Sequence, residues 1–302
     1  MRVLVTGATG FVGSRLVPEL CAAGHDVNVL VRDVTTYDAP EEVAVFEGDL
    51  FEPESFRDAL AGVEAAYYLV HSMRAGRDFE RRDRTAARNF VEAASDAGVD
   101  RVVYLGGLGE EGDTLSAHLQ SRREVESVLA DGSYDLTTLR AAIIVGDGSA
   151  SFEMVHDLAC RLPVMVTPRW VKNDCQPIAI DDVVAYLVGV LDAPETAGNT
   201  YEIGGPDVLT YGELIQRTAV VAGARRPLIL PVPVLTPRLS SYWIGLVTDV
   251  DRHVARPLID GLRNPVVVTD HAIRDHVAVE LTSFDDAVEL ALANTPDVRR
   301  SG

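Results

Sequence analysis

The chain has 302 residues, 47% of them hydrophobic and only 6% aromatic, which suits an α/β domain carrying an added lobe. Acidic residues outnumber basic ones 46 to 27, for a net charge of −19, and Lys172 is the single lysine. A surface this acidic is expected to repel nucleic acid and anionic lipid, and no apolar run reaches the ~20 residues of a membrane span.

In chain order, Val3-Leu4-Val5 is an apolar strand that runs into Thr6-Gly7-Ala8-Thr9-Gly10-Phe11-Val12-Gly13, and the pattern through Leu20 reads as helix. Strand, three-glycine turn and helix start put bare backbone N–H groups and a positive helix end where a dinucleotide pyrophosphate can sit. Gly7 would allow the tight turn, Gly10 the approach of phosphate and Gly13 the contact of helix with strand. A purely structural glycine turn is the alternative. A second strand at Val27–Val31 falls where a βαβ unit needs it.

Further strands are predicted at Val43–Phe46, Ala65–Leu69, Val102–Leu105 and Leu136–Leu139. Helices are predicted at Phe11–Ala23, Pro53–Ala61, Arg81–Ala97 and Ser116–Ala130. Short apolar strands alternating with longer amphipathic segments specify a parallel sheet covered on both faces, with ligands beyond the carboxyl ends of the strands. After the loop Gly146–Ala150 the texture changes. A helix from Phe152 to about Arg161, a strand over Gln176–Ile180, a helix capped by Asp181 and a strand at Thr200–Ile203 are expected. A capped helix from Thr210 to Ala222, a proline-rich stretch from Pro227 to Pro237 and a final helix from Ser283 follow. The expected organisation is a nucleotide-binding domain over 1–148 and 177–206, with a substrate lobe over 149–176 and 207–302.

These landmarks resemble the extended and atypical short-chain dehydrogenase/reductase superfamily. The Thr6-Gly7-x-x-Gly10-x-x-Gly13 turn has the form of its fingerprint, and Gly48-Asp49-Leu50 looks like its adenine-contacting motif. Gln176-Pro177-Ile178-Ala179-Ile180-Asp181-Asp182-Val183 and Tyr201-Glu202-Ile203-Gly204-Gly205-Pro206 are similar to its late junctions. More narrowly, the chain looks like the NmrA-like branch and the relatives of the 39-kDa accessory subunit of respiratory NADH dehydrogenase. The resemblance implies a doubly wound parallel Rossmann sheet with a small C-terminal substrate-binding lobe. It also implies a nicotinamide cofactor held by Thr6, Gly7, Thr9, Gly10, Phe11, Val12, Gly13, Asp49, Leu50, Leu69, Val70 and Gly106.

The second strand ends Leu30-Val31-Arg32-Asp33, about 20 residues after the last glycine of the turn, where the acidic residue of an NAD site stands. Arg32 is suited to a 2′-phosphate and points to NADP(H), with Arg15 as a helper. Asp33 on a ribose hydroxyl would make the cofactor NAD instead.

The superfamily's usual tyrosine and lysine, four residues apart, are missing. Their positions read His118 and Arg122, on one helical face. The serine position is replaced within Tyr104-Leu105-Gly106-Gly107-Leu108-Gly109. His118 can serve as acid or base near neutral pH, with Arg122 on the cofactor ribose or phosphates. Both can instead bind cofactor in a sensor, or neither can have a role. At the exit of the fourth strand, Leu69-Val70-His71-Ser72-Met73 should line the nicotinamide half; His71 is a second proton donor, or a satisfied structural histidine. Arg140 is either an anion handle or the partner of a carboxylate such as Asp147, and Tyr104 and Tyr134 are packing residues.

The insertion Ser149–Gln176 is expected to cover the cleft, apolar through Phe152, Met154, Met165 and Trp170, with Arg161 and Arg169 as anion handles. Leu239–Val247 is a lobe core helix, or a greasy substrate or docking surface. The leading expectation is an oxidoreductase using NADP(H), or NAD, on a small apolar substrate. A non-catalytic sensor or accessory subunit, peripherally associated with a membrane complex, is the alternative, and a nucleotide-sugar epimerase the third. The strand-first N-terminus predicts no leader. Cys21, Cys160 and Cys175, scattered and without CxxC spacing, predict a reducing cytoplasm with no disulfide or zinc. The acidity fits an interior of molar salt.

Overall fold

The computed structural model describes residues 1–71, 78–109, 116–231 and 265–294. Six strands of the first half are β1 (Arg2–Thr6), β2 (Asp26–Val31), β3 (Ala44–Glu47), β4 (Ala65–Tyr68), β5 (Arg101–Gly107) and β6 (Asp135–Ala141). With β11 (Thr200–Ile203) they form a seven-stranded sheet in the order β11-β6-β5-β4-β1-β2-β3, every pair parallel. This is a Rossmann-like α/β sheet, and its order reverses between β1 and β4, the place beyond the strand ends where sheets of this kind take their ligands.

Alternation along the strands sends side chains to two cores. Val3, Val5, Val29, Tyr67, Val103 and Leu139 face one side, covered by α1 (Gly13–Ala22) and α5 (Ile180–Asp192). Leu4, Leu30, Ala66, Tyr68 and Tyr104 face the other, covered by α2 (Phe79–Asp96) and α3 (Ala117–Leu129). Burial on both faces is why the strands are apolar throughout rather than alternating.

A third core holds β7 (Ile144–Val145), α4 (Ala150–Arg161), β8 (Val164–Thr167), β9 (Asp174–Cys175), α6 (Tyr211–Val221) and the last described helix, α7 (Phe284–Asn294). Three further short strands serve this region. β10 (Ile178–Ala179) pairs with β7, β12 (Leu209–Thr210) with β9, and β13 (Leu228–Pro231) with β8. Ile273 and Val277 return to the sheet core under α5.

Several local expectations give way. Pro53–Ala61 is two 3-10 turns, Pro53–Ser55 and Arg57–Leu60, because Phe56 between them leaves helical geometry to bury its ring completely. The strand over Gln176–Ile180 shrinks to β10, since the Gln176 side chain bridges Gly205 O (2.7 Å) and the Val268 N–H (3.0 Å). α5 starts at Ile180 without a side-chain cap, and neither Asp181 nor Asp182 precedes it. Asp182 instead accepts from Thr282 N at 2.9 Å and Thr282 Oγ1 at 2.8 Å, pinning the chain just before α7. At α6 the expected cap is present as a full capping box between Thr210 and Glu213.

Candidate cofactor and active site

The turn after β1 is shaped by contact with β4. Gly7 sits at φ 78°, and a Cβ there would lie 2.9 Å from Leu69 O, so both the backbone angle and the neighbour demand glycine. The Thr6 side chain, fully buried, donates to Tyr67 O (3.0 Å) and accepts from Leu69 N (3.4 Å). Thr6 therefore clamps the two strands at the point where the sheet order reverses. A Cβ on Gly13 would come within 2.3 Å of Gly7 O, so α1 rests directly on the turn.

Gly10 differs: a Cβ there would meet only Gly7 O, at 3.1 Å, leaving its outer side open. Among the described residues no backbone carbonyl takes the N–H of Phe11, Val12 or Gly13, while Ser14 and Leu16 bond back to Gly10 and Val12. Three amides at a helix N-terminus with open space before them fit a pyrophosphate. Thr9 and Gly10 are exposed and Phe11 and Val12 half-buried on that side.

Arg15 is engaged within the fold. Its guanidinium lies 4.8 Å from the centre of the Phe11 ring and donates to Phe11 O (2.8 Å) and Asp147 O (2.7 Å). It thereby latches the loop before α4 onto the glycine turn, and Gly146 and Gly148 lie against the same ring. Arg32, at the exit of β2, is exposed, and no hydrogen bond or ion pair engages it among the described residues. Asp33 beside it caps a 3-10 turn over Val34–Thr36, accepting from Thr35 N (2.9 Å) and Thr35 Oγ1 (2.6 Å). The Thr35 hydroxyl, then its amide, hold the Asp33 carboxyl below its ordinary pKa.

After β3, Asp49 turns its carboxylate to Phe51 N (2.9 Å). Leu50 is buried in the core, its carbonyl accepting from Asn89 at 2.7 Å. Leu69 and Val70 are half-buried at the end of β4, opposite the glycine turn, and His71 is exposed beyond them. Ser72 and Met73 lie outside the described residues, as does the apolar segment Leu239–Val247.

Helix α3 is capped by Ser116, whose hydroxyl accepts from Leu119 N at 3.3 Å. His118 stands in its first turn and Arg122 one turn later; the His118 side chain lies outside the described residues. The Tyr104 hydroxyl donates to Arg122 O at 3.2 Å, with the guanidinium nearby. Burial pushes the Tyr104 and Tyr68 hydroxyls up, and Arg122 pulls both partly back. With zero exposure, Tyr104 packs against Tyr68 at 6.3 Å between ring centroids and touches no cleft. Gly106 is buried in β5 beside Tyr104 and Arg140.

Arg140 pairs with Glu126 rather than Asp147, through bonds of 3.1 and 2.6 Å. α3 carries Glu126 across the end of β6, whereas Asp147 belongs to the loop on the glycine turn. In the insertion, Phe152, Met154, Met165 and Trp170 turn inward and build the lobe's core instead of covering a cleft. Arg161 pairs with Asp157 at 3.3 Å. Sequence reasoning missed the Thr6 clamp and the Arg15–Phe11–Asp147 latch. Both join residues far apart in the chain, and only the glycines at 146 and 148 hinted at a close approach there.

Comparisons with known proteins agree with this geometry. The model of a family described as NAD(P)H-binding matches residues 7–158. Over 251 residues the chain is 30% identical to ceramide reductase of Caulobacter vibrioides, covering 81% of this chain and 78% of that protein. It is 27% identical over 228 residues to the mitochondrial NADH dehydrogenase [ubiquinone] 1 alpha subcomplex subunit 9 of Arabidopsis thaliana. That match covers 70% of this chain but only 56% of the plant subunit. Among solved structures, the triphenylmethane reductase of Citrobacter sp., complexed with NADP(H), superposes with a TM-score of 0.76 at 21% identity. It covers 96% of this chain and 100% of its own, and at that identity shows a shared fold.

Proposed function

The chain belongs to the NAD(P)H-binding family, and on that premise we propose that it is an NADP(H)-dependent reductase of a small apolar substrate. The observation that carries the cofactor choice is the end of β2, where Arg32 is unengaged and Asp33 is occupied by Thr35. A guanidinium there grips a 2′-phosphate, and a carboxylate turned to its own backbone competes less for a ribose hydroxyl. The substrate class rests on the relative named ceramide reductase.

The amides of Phe11, Val12 and Gly13 would hold the pyrophosphate, Asp49 and Leu50 flank the adenine end, and Leu69 and Val70 wall the crevice toward the nicotinamide. When bound, the nicotinamide supplies the hydride. Arg122, always charged, would orient the cofactor's ribose but exchange no proton. His118 or His71 would deliver the proton, since imidazole titrates near neutrality.

A second reading follows from the likeness to the respiratory subunit, a non-catalytic NADP(H)-binding accessory protein. The test is a fluorescence titration with NADPH and NADH, followed by a screen of lipid-like carbonyl compounds. Selective NADPH binding, lost about ten- to a hundredfold in Arg32→Ala, is expected from removing one charge-assisted contact. Equal affinity for both cofactors would overturn the NADP(H) assignment. Turnover unchanged in both His118→Ala and His71→Ala would remove the proton donors, and tight binding with no turnover on any compound favours the accessory reading.

A further inference from the structure

Among the described residues, the lobe gathers four exposed aliphatic side chains on one small ribbon. β8 and β13 form a two-stranded parallel ribbon in which Val164 stands beside Leu228 and Val166 beside Leu230. Met165 and Thr167 point into the lobe core, as does Ile229 in part. The opposite face ought to be polar, as the solvent face of a half-buried sheet is. Instead all four of its side chains are aliphatic and open: Val164 50%, Val166 47%, Leu228 56% and Leu230 45% exposed. Four aliphatic neighbours on one small ribbon make a contiguous patch of the kind that marks an interaction surface.

Charge around the ribbon is reversed relative to the whole. The molecule carries 46 acidic residues, yet residues 158–173 and 214–231, which contain both strands, hold none; Asp157, Asp174 and Glu213 border these stretches, and Glu213 interacts with Arg226. Arg225 and Arg226 lead into β13 at one end, next to Arg161 at the end of α4. Arg169 and Lys172, the only lysine, follow β8 at the other end. All five are exposed; Arg161 is shared with Asp157, and Arg226 donates to Gln216 at 2.7 Å.

We propose that this ribbon is a docking surface for an anionic lipid bilayer. The aliphatic side chains would enter the headgroup boundary while the flanking cations stay at the level of the lipid phosphates. A second copy of the chain is a poorer occupant, because a symmetric contact would set one cationic rim against another. The remaining surface, strongly acidic, is repelled by the same bilayer and turns away, so the charge asymmetry also orients the molecule. The proposal goes beyond the cofactor chemistry and does not depend on it.

The test is co-sedimentation of the full chain with vesicles rich in phosphatidylglycerol and with vesicles of phosphatidylcholine alone. Preferential binding to the anionic vesicles, weakened by salt, is expected. Each cation near an anionic surface contributes about a fivefold factor, so Arg225→Ser with Arg226→Ser should weaken binding roughly 25-fold. Val166→Ser with Leu230→Ser should weaken it on both vesicle types. Intact thermal unfolding and unchanged NADPH affinity in these variants would show that the fold survives. No sedimentation with anionic vesicles, or equal sedimentation by parent and both variants, would overturn the proposal. So would a dimer, seen by analytical ultracentrifugation without lipid, that Val166→Ser with Leu230→Ser dissolves.

Discussion

Gly10 and Gly13 stand three residues apart in one turn, and the structure assigns their substitution by alanine opposite consequences. At Gly13 the new Cβ falls 2.3 Å from Gly7 O and 2.8 Å from Ala8 Cα, both backbone atoms that cannot swing aside. Either α1 or the turn must move, at a cost of about 3 kcal/mol. At Gly10 the Cβ has one neighbour, Gly7 O at 3.1 Å, and the residue does not lie at positive φ. Stability should stay within about 0.5 kcal/mol of the parent, because the smaller freedom of the unfolded chain offsets the mild contact. The methyl group does, however, enter the space in front of the free amides of Phe11, Val12 and Gly13. Loss of one charge-assisted bond to a pyrophosphate is worth about 1.5–3 kcal/mol, or about 10–100-fold in affinity. Urea denaturation without cofactor and fluorescence titration with NADPH separate the two effects. Gly13→Ala should unfold at clearly lower urea, whereas Gly10→Ala should unfold like the parent and bind NADPH poorly. If Gly10→Ala binds NADPH as tightly as the parent, the cofactor phosphates do not lie over this turn.

Glu126→Ala should cost about 3 kcal/mol in urea denaturation, because the pair is mostly buried, Arg140 at 16% and Glu126 at 13% exposure, and the guanidinium would be stranded. A loss below about 1 kcal/mol would mean that solvent already screens the pair. Burial raises the Asp182 carboxyl above its ordinary pKa, against the pull of its bonds from Thr282. The native state therefore holds that proton more tightly than the unfolded chain. Asp182's contribution to stability is greatest below the unfolded value, about 3.9, and is lost as pH rises through the folded value. Asp182→Asn should remove that downward slope from the stability–pH curve; an unchanged slope across the acid range would show that the group titrates normally.

The alternation of short apolar strands with amphipathic helices was enough to specify a doubly wound parallel sheet, because strands buried on both faces leave a continuous Val/Leu signature. Gly7, Gly10 and Gly13 likewise announced a tight strand–turn–helix junction, since each answers a local backbone demand within that unit. Arg32 and Asp33 were readable as rivals, but the chain alone did not show that Thr35 would donate to the Asp33 carboxylate. The partner of Arg140 could not be read, because α3 brings Glu126 to β6 from 14 residues away while Asp147, closer in sequence, lies in the loop that Arg15 ties to the glycine turn. In the sequence Thr6 reads only as part of the turn motif; its clamp between β1 and β4 is a further role that exists only once strands 61 residues apart are neighbours. Apolar residues of the insertion could as well have lined a cleft as filled a core, since hydrophobicity records the need for burial and not its direction. That Val164, Val166, Leu228 and Leu230 share one open face was equally illegible, since only the parallel pairing of β8 with β13 brings them together. Local periodicity and backbone geometry are written in neighbouring residues, so the chain alone determines them; which side chains meet across the fold depends on contacts that close only when the sheet and the lobe assemble.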